Sequence, residues 1–204
     1  MAMTFTTLTG AKTVPGSIQN FVRYARVPGE VVLEEAQSLI YQRLRVREMK
    51  AASTVTIALD GYTSALPSRL LEVISMQDRE GWNVYPDKYI SDDQMLRRRL
   101  YDEGVLETGT PMYVAIFGEL FQWDCKAEEA RTLDIVYYQS LPLLAVTSNE
   151  TNFLTTRYPN ILRVACLAGA ASFMKDDNEE AKQLAKLTAL CDLANMEADQ
   201  GRAA

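Results

Sequence analysis

The 204-residue chain has no histidine. That single absence removes Ser–His and Cys–His nucleophiles and every imidazole-ligated metal. Cysteine is scarce: Cys125, Cys166 and Cys191 stand far apart and form no C-x-x-C pair. An odd, sparse set of this kind argues against a disulfide framework or a zinc site and fits a reducing cytoplasm. No uninterrupted apolar run approaches the about 18 residues a membrane span needs, so no membrane association is expected. The glycines are scattered through turns, and none belongs to a P-loop or dinucleotide fingerprint, so no cofactor is expected either. Basic residues are also in deficit, 21 Lys and Arg against 27 Asp and Glu, for a net charge of −6. A chain that wraps nucleic acid without regard to sequence is usually basic, so no nucleic-acid binding is expected of the chain itself.

What remains is ordinary globular material, 48% apolar and 24% charged, with enough length to bury a core without staples. Pro15-Gly16-Ser17 introduces Ile18, Phe21 and Val22 at helical spacing. From Pro28 to about Ala51 the spacing predicts one long helix. Val32, Leu33, Ala36, Leu39, Ile40 and Leu44 form its face, with acids at its start and Arg43, Arg45, Arg47 and Lys50 at its end, as the macrodipole favours. Period-two alternation then predicts strands over residues 54–59, 71–76, 82–85, 112–117, 120–124 and 132–138, with Gly118-Glu119 as a type II′ hairpin turn. Residues 126–130 read as a polar loop. A short helix is expected at 91–102, with Met95, Leu96 and Leu100 on one face.

After Leu141-Pro142 the pattern returns to helix. Pro159 sits where a first-turn proline belongs, and residues 161–174 are apolar almost all round, with a small-residue surface from Ala165 to Ser172. Asp177 to Glu180 has the spacing of a capping box, and Leu184, Leu187, Cys191 and Ala194 continue at heptad-like intervals. The expected fold class is α+β, a helical bundle formed by N- and C-terminal helices with a central antiparallel β-rich insert. The helical part is placed at 15–52 and 151–200 and the insert at 53–140, in one continuous structure over 1–204, with the strands ordered as a meander.

Few residues support catalysis. Asp124 and Asp134, on two strands, have the composition of a glycosidase pair, but solvent-facing alternation explains both. Asp176 to Glu180 lacks the calcium-loop pattern, and a helix cap accounts for it. The cysteines fall at apolar positions as small core residues. Two arginine clusters stand out more: Arg43, Arg45 and Arg47, and Arg97, Arg98 and Arg99. Solvated helix face is the plain reading of each, and salt-bridging across a protein–protein contact is the functional one. Tyr137, Tyr138, Phe121 and Trp123 cannot all face one core if the strands alternate, which adds exposed aromatic surface. Composition therefore points to a chain that binds proteins.

One ordered series of short motifs goes further. It runs through Tyr41 to Met49, Leu66-Pro67 with Leu70-Leu71-Glu72, and Gly109-Thr110-Pro111 with Tyr113. It continues with Tyr137-Tyr138-Gln139, Leu141-Pro142-Leu143-Leu144, Ser148-Asn149, Thr151-Asn152-Phe153-Leu154, Tyr158-Pro159 and Phe173 to Asp177. Over Pro15 to Asn195 this series resembles the head-to-tail adaptor, or head-completion and connector, proteins of tailed bacteriophages, with Phe153 where the family would carry Trp. The resemblance implies a non-enzymatic virion protein, assembled in the host cytoplasm, that forms a ring of roughly a dozen copies. Its partners would be the portal protein, a tail or nozzle protein and neighbouring copies, with DNA passing through the channel. A neck or tail-completion protein bound to another connector, and a virion-associated carboxylate hydrolase, are the competing readings.

Overall fold

The computed structural model describes residues 3–24, 26–79, 83–101, 106–145 and 149–200. The chain opens with helices α1 (Phe5–Thr9), α2 (Ile18–Val22) and α3 (Gly29–Arg43), followed by a 3₁₀ turn at Arg47–Met49. Strands β1 (Lys50–Ile57), β2 (Thr63–Ala65), β3 (Leu70–Asp78) and β4 (Asn83–Tyr85) precede helix α4 (Asp92–Tyr101). Then come β5 (Thr108–Gly109), β6 (Val114–Phe117), β7 (Leu120–Trp123), β8 (Lys126–Ala127) and β9 (Arg131–Gln139). Helices α5 (Phe153–Thr156), α6 (Pro159–Met174) and α7 (Asp177–Gln200) complete it. The fold is α+β, and it divides into a helical unit, residues 1–48 with 141–204, and a β-rich unit, residues 49–140.

In the helical unit, α3 buries Val32, Leu33, Ala36 and Ile40, α6 buries Ile161, Leu162, Ala165 and Ala168, and α7 buries Leu187, Cys191 and Ala194. Removing the Val, Leu and Ile side chains of this set from water contributes about 1.5–3 kcal/mol each before entropy is counted, and each alanine methyl less. The small-residue surface of α6 has a definite use. A Cβ on Gly169 would lie 3.3 Å from Val32 Cγ1, so the glycine sets how closely α3 approaches α6. Pro159 occupies the first turn of α6, as its missing N–H favours.

The helix expected to run to about Ala51 stops at Arg43. Its end is fixed from outside: Asn195 on α7 accepts from the Arg45 amide at 2.7 Å and donates to the Arg43 carbonyl at 3.0 Å. The Arg45 guanidinium covers the Tyr41 and Leu44 carbonyls at 2.8 and 2.9 Å. These are the acceptors that a helix C-terminus leaves open. At the start of α7 the capping side chain is Asp176, accepting from the Glu179 amide at 3.1 Å, one residue before the Asp177 expected from spacing. The buried Gln37 holds the segment following the sheet by accepting from the Leu144 amide at 2.9 Å.

A second tether joins α1 to residue 150. The Glu150 carboxylate accepts from the Thr6 amide at 3.2 Å and from the Thr6 hydroxyl. These hydrogen bonds hold its carboxyl below the ordinary value of 4.5, because they favour the charged form. A depressed native value means the tether is fully present above pH 4.5 and is lost as pH falls through the lower native value. Amide-exchange protection in α1, read at Leu8, is expected to show that acid step, and Glu150→Gln is expected to flatten it.

In the β-rich unit the strands do not follow a meander. The four-stranded sheet has the order β1-β9-β3-β4, so the last long strand lies between the first and the third. The register runs antiparallel from Lys50↔Tyr138 to Ile57↔Arg131 on one side and from Leu70↔Gln139 to Asp78↔Leu133 on the other. A three-stranded sheet, β2-β7-β6, carries the Gly118-Glu119 hairpin. Only the first of these two turn residues has positive φ, 60° at Gly118, as a II′ turn requires. Residues 126–127, expected in a loop, pair in parallel with β5. Strand β6 begins at Val114, later than expected, because the Met112 and Tyr113 amides bond the Asp124 side chain instead of a neighbouring strand. Val114 and Ala115 are buried on its two opposite faces, and only the hairpin end is open, where Phe117 is 55% exposed.

The core of this unit gathers Val55, Ile57, Val73, Met76, Phe121, Trp123, Leu133, Ile135 and Tyr137. The four aromatics expected to contribute exposed surface are all buried. Phe121 and Trp123 are two apart on β7 and therefore share a face. Tyr138 points away from Tyr137, yet lies directly opposite Lys50, whose ammonium sits 5.7 Å from its ring centre. On α4, Met95 is buried while Leu96 is exposed. Trp82 and the Leu100 side chain lie outside the described residues.

Candidate interaction surfaces

The six arginines singled out from the sequence fall into two sets, one in each unit. On the helical unit, Arg43 donates to Thr188 and Arg45 is committed to the α3 terminus, while Arg47 is exposed. On the β-rich unit, Arg99 is anchored by Nη2 to the Trp123 carbonyl at 2.6 Å and by Nη1 to Gln122 Oε1 at 3.2 Å. It also lies 5.1 Å from the Tyr62 ring centre. Arg98 stacks 3.8 Å from the Tyr113 centroid, a ring that Lys88 approaches to 5.6 Å. Arg97 faces solvent, with 73% of its side chain exposed and a pair to Asp93 at 2.9 Å. Such an exposed i,i+4 pair is worth only about 0.3–0.5 kcal/mol, so it exchanges readily for another partner. Within α4 three consecutive arginines thus have three environments, as points spread round a helix must.

Some charged groups carry more structural weight than sequence alone reveals. Arg131 joins Asp78 at 2.9 Å with both side chains largely buried, and reaches Glu129 at 2.9 Å. Arg157 pairs with Glu48. The Arg131–Asp78 and Arg157–Glu48 pairs link residues far apart in the chain, and no local spacing signals them.

The groups considered for chemistry are otherwise employed or separated. Asp124 does not face solvent as alternation predicts. Its Oδ1 accepts from the Met112 and Tyr113 amides at 2.9 and 3.1 Å, and the residue is half-buried. Asp134 is exposed on β9, a strand of the other main sheet. Burial pushes the Cys166 thiol up to about 12 and the Cys125 and Cys191 thiols up to about 11, with Asp124 and Asp192 adding to the latter two. Thiols held this far above neutrality stay protonated and are weak nucleophiles. Among the described residues no three His, Cys, Asp or Glu side chains gather into a metal site, and no helix is long and apolar enough to cross a membrane.

One concavity lies wholly within the helical unit, where α3, α6 and α7 leave a groove of about 320 Å³. Leu39, Gly169 and Leu184 form its apolar part, and Glu35 and Glu180 supply two carboxylates. Exposed apolar side chains also stand at the β6–β7 hairpin tip, Phe117 opposite Leu120, and along α7 at Leu193 and Met196. The sequence reading missed the groove because its two acids are 145 positions apart and belong to different helices. These surfaces offer charge and apolar area for contact with other proteins.

Comparison with curated proteins finds no match. The family described as SU10 adaptor protein matches residues 5–204, spanning both units. By that match the chain belongs to the SU10 adaptor family, a family of bacteriophage head-to-tail adaptor proteins.

Proposed function

We propose that the chain is a non-enzymatic virion component that assembles as a ring of roughly a dozen copies beneath the portal. There it continues the DNA exit channel and presents the surface on which the tail docks. The observation that carries this reading is the extent of the family match, 5–204, which takes in the helical unit and the β-rich unit alike. Charge supports it. Each copy carries a net −6, so a closed ring repels phosphate and lets DNA slide without adhering.

Arg43, Arg47, Arg97 and Arg98 are assigned to contacts with the portal or with neighbouring copies. Arg45 and Arg99 are assigned to internal support, because their hydrogen bonds terminate α3 and fasten α4 to β7. Assembly takes place in the host cytoplasm, and the working location is the head–tail junction. Mass spectrometry of purified particles is expected to find the chain, and cryo-electron microscopy is expected to place its density in the collar between capsid vertex and tail. Particles that lack the chain, or a collar without its density, would overturn the proposal.

A further inference from the structure

The groove of the helical unit has features that a simple packing defect lacks. Its apolar side is built from Leu39, Gly169 and Leu184, and the Glu35 carboxylate overhangs it: a Cβ on Gly169 would stand 3.6 Å from Glu35 Oε2. Among the described residues, several other acids have cations within reach, including Glu48 with Arg157, Asp78 and Glu129 with Arg131, Asp93 with Arg97, and Glu179 with Lys182. Glu35 and Glu180 have none, although they share one groove. Two carboxylates beside apolar surface suit a side chain with a cationic end and apolar company.

The same chain carries such a combination elsewhere. On α4, Leu96 is 54% exposed and the adjacent Arg97 side chain is 73% exposed. Arg98 and Arg99 are held by Tyr113 and by the Trp123 carbonyl, which leaves Arg97 as the cation of that helix most free to move. Arg47, also exposed among the arginines singled out from the sequence, has the buried Val46 and the paired Glu48 as neighbours, so it offers no apolar companion. The acidic groove and the Leu96–Arg97 face are different surfaces of one chain. Complementary but different surfaces generate a head-to-tail contact, and a head-to-tail contact closes into a ring when the rotation it sets between copies divides a full turn.

We infer that the Glu35–Glu180 groove of one copy receives Leu96 and Arg97 from α4 of the neighbouring copy. The contact rests on the ring-forming function proposed above, and it names where adjacent copies join. Arg97 exchanges its weak pair with Asp93 for two carboxylates, and Leu96 covers the apolar side of the groove.

The test loads purified chain onto adaptor-free heads and measures bound copies by sedimentation. The variants are Glu35→Arg, Arg97→Glu, both together in one chain, and an equal mixture of the two single variants. Both positions are exposed, and thermal melts followed by circular dichroism check that each variant is folded. Each single variant places like charges together and is expected to load about tenfold less well or worse. The double variant restores opposite charges at every contact. So does the mixture when the two chains alternate, because the reversed groove then meets the reversed helix and the unchanged groove meets the unchanged helix. Both are expected to load within about twofold of wild type. A double variant as defective as the singles would overturn the contact. So would normal loading by Arg97→Glu alone, which would mean that the groove takes a different cation. Wild-type chain that does not load at all would instead overturn the ring-forming function, and this contact with it.

Discussion

Replacing Trp123 by alanine is expected to destabilise the β-rich unit by about 4 kcal/mol. Trp123 is fully buried and is the largest side chain of that core, packed at a centroid distance of 6.4 Å from Phe121. Its indole N–H also donates to the buried Ser64 Oγ at 3.1 Å. The alanine variant therefore loses the transfer energy of the ring, opens a cavity among strands that cannot collapse into it, and leaves a buried hydroxyl without its donor. A Tm fall of roughly 20 °C is expected for that unit by calorimetry. Trp123→Phe keeps most of the volume and is expected to lose about half as much. A loss under about 1 kcal/mol for the alanine variant would mean that the ring does not hold β2, β6 and β7 together. Arg99 adds a consequence on the surface: its anchor is the Trp123 carbonyl. Movement of β7 would displace α4, so the alanine variant is also expected to lower loading onto heads.

How far the sequence foretold the molecule depends on the range of the interactions involved. Signals confined to a few residues were legible: the alternation through Val55 and Ile57, the turn at Gly118-Glu119, the first-turn Pro159 and the apolar faces of α3 and α6. Where a distant partner decides the outcome, local pattern failed. The α3 face continues through Leu44, but Asn195 and the Arg45 side chain close the helix at Arg43. The strands read as a meander because hairpins are the shortest connection, yet β9 enters between β1 and β3. Tyr137 and Tyr138 read as partly exposed because alternation sends neighbours to opposite faces, and a central strand with Lys50 opposite covers both. Arginine clustering marked six positions by composition. Only three-dimensional placement separates Arg99, fixed to β7, from Arg97, held by one exposed acid.

The second large effect is expected at Asp78. Arg131, Leu133, Ile135 and Tyr137 occupy alternate positions of β9 and share one face, so the guanidinium continues a row of core side chains to the end of the sheet. Its side chain is 17% exposed and that of Asp78 is 11% exposed. Two charges brought this far out of water gain little net stability as a pair, but removing one strands the other. Asp78→Ala leaves Arg131 with the exposed Glu129 and a long contact to Thr110 at 3.5 Å. The expected loss is about 3 kcal/mol by urea denaturation, the lower end of the range for a broken buried pair, since some water reaches both groups. Asp78→Asn keeps one acceptor oxygen and is expected to lose less. Because the pair is shielded from solvent, 1 M sodium chloride is not expected to abolish the difference between wild type and Asp78→Ala. The decisive comparison is Asp78→Ala combined with Arg131→Met. The double change removes both charges and restores apolar volume, so it is expected to lie within about 1 kcal/mol of wild type. A double variant as unstable as the sum of its parts would show that shape, rather than an uncompensated charge, governs this corner of the sheet.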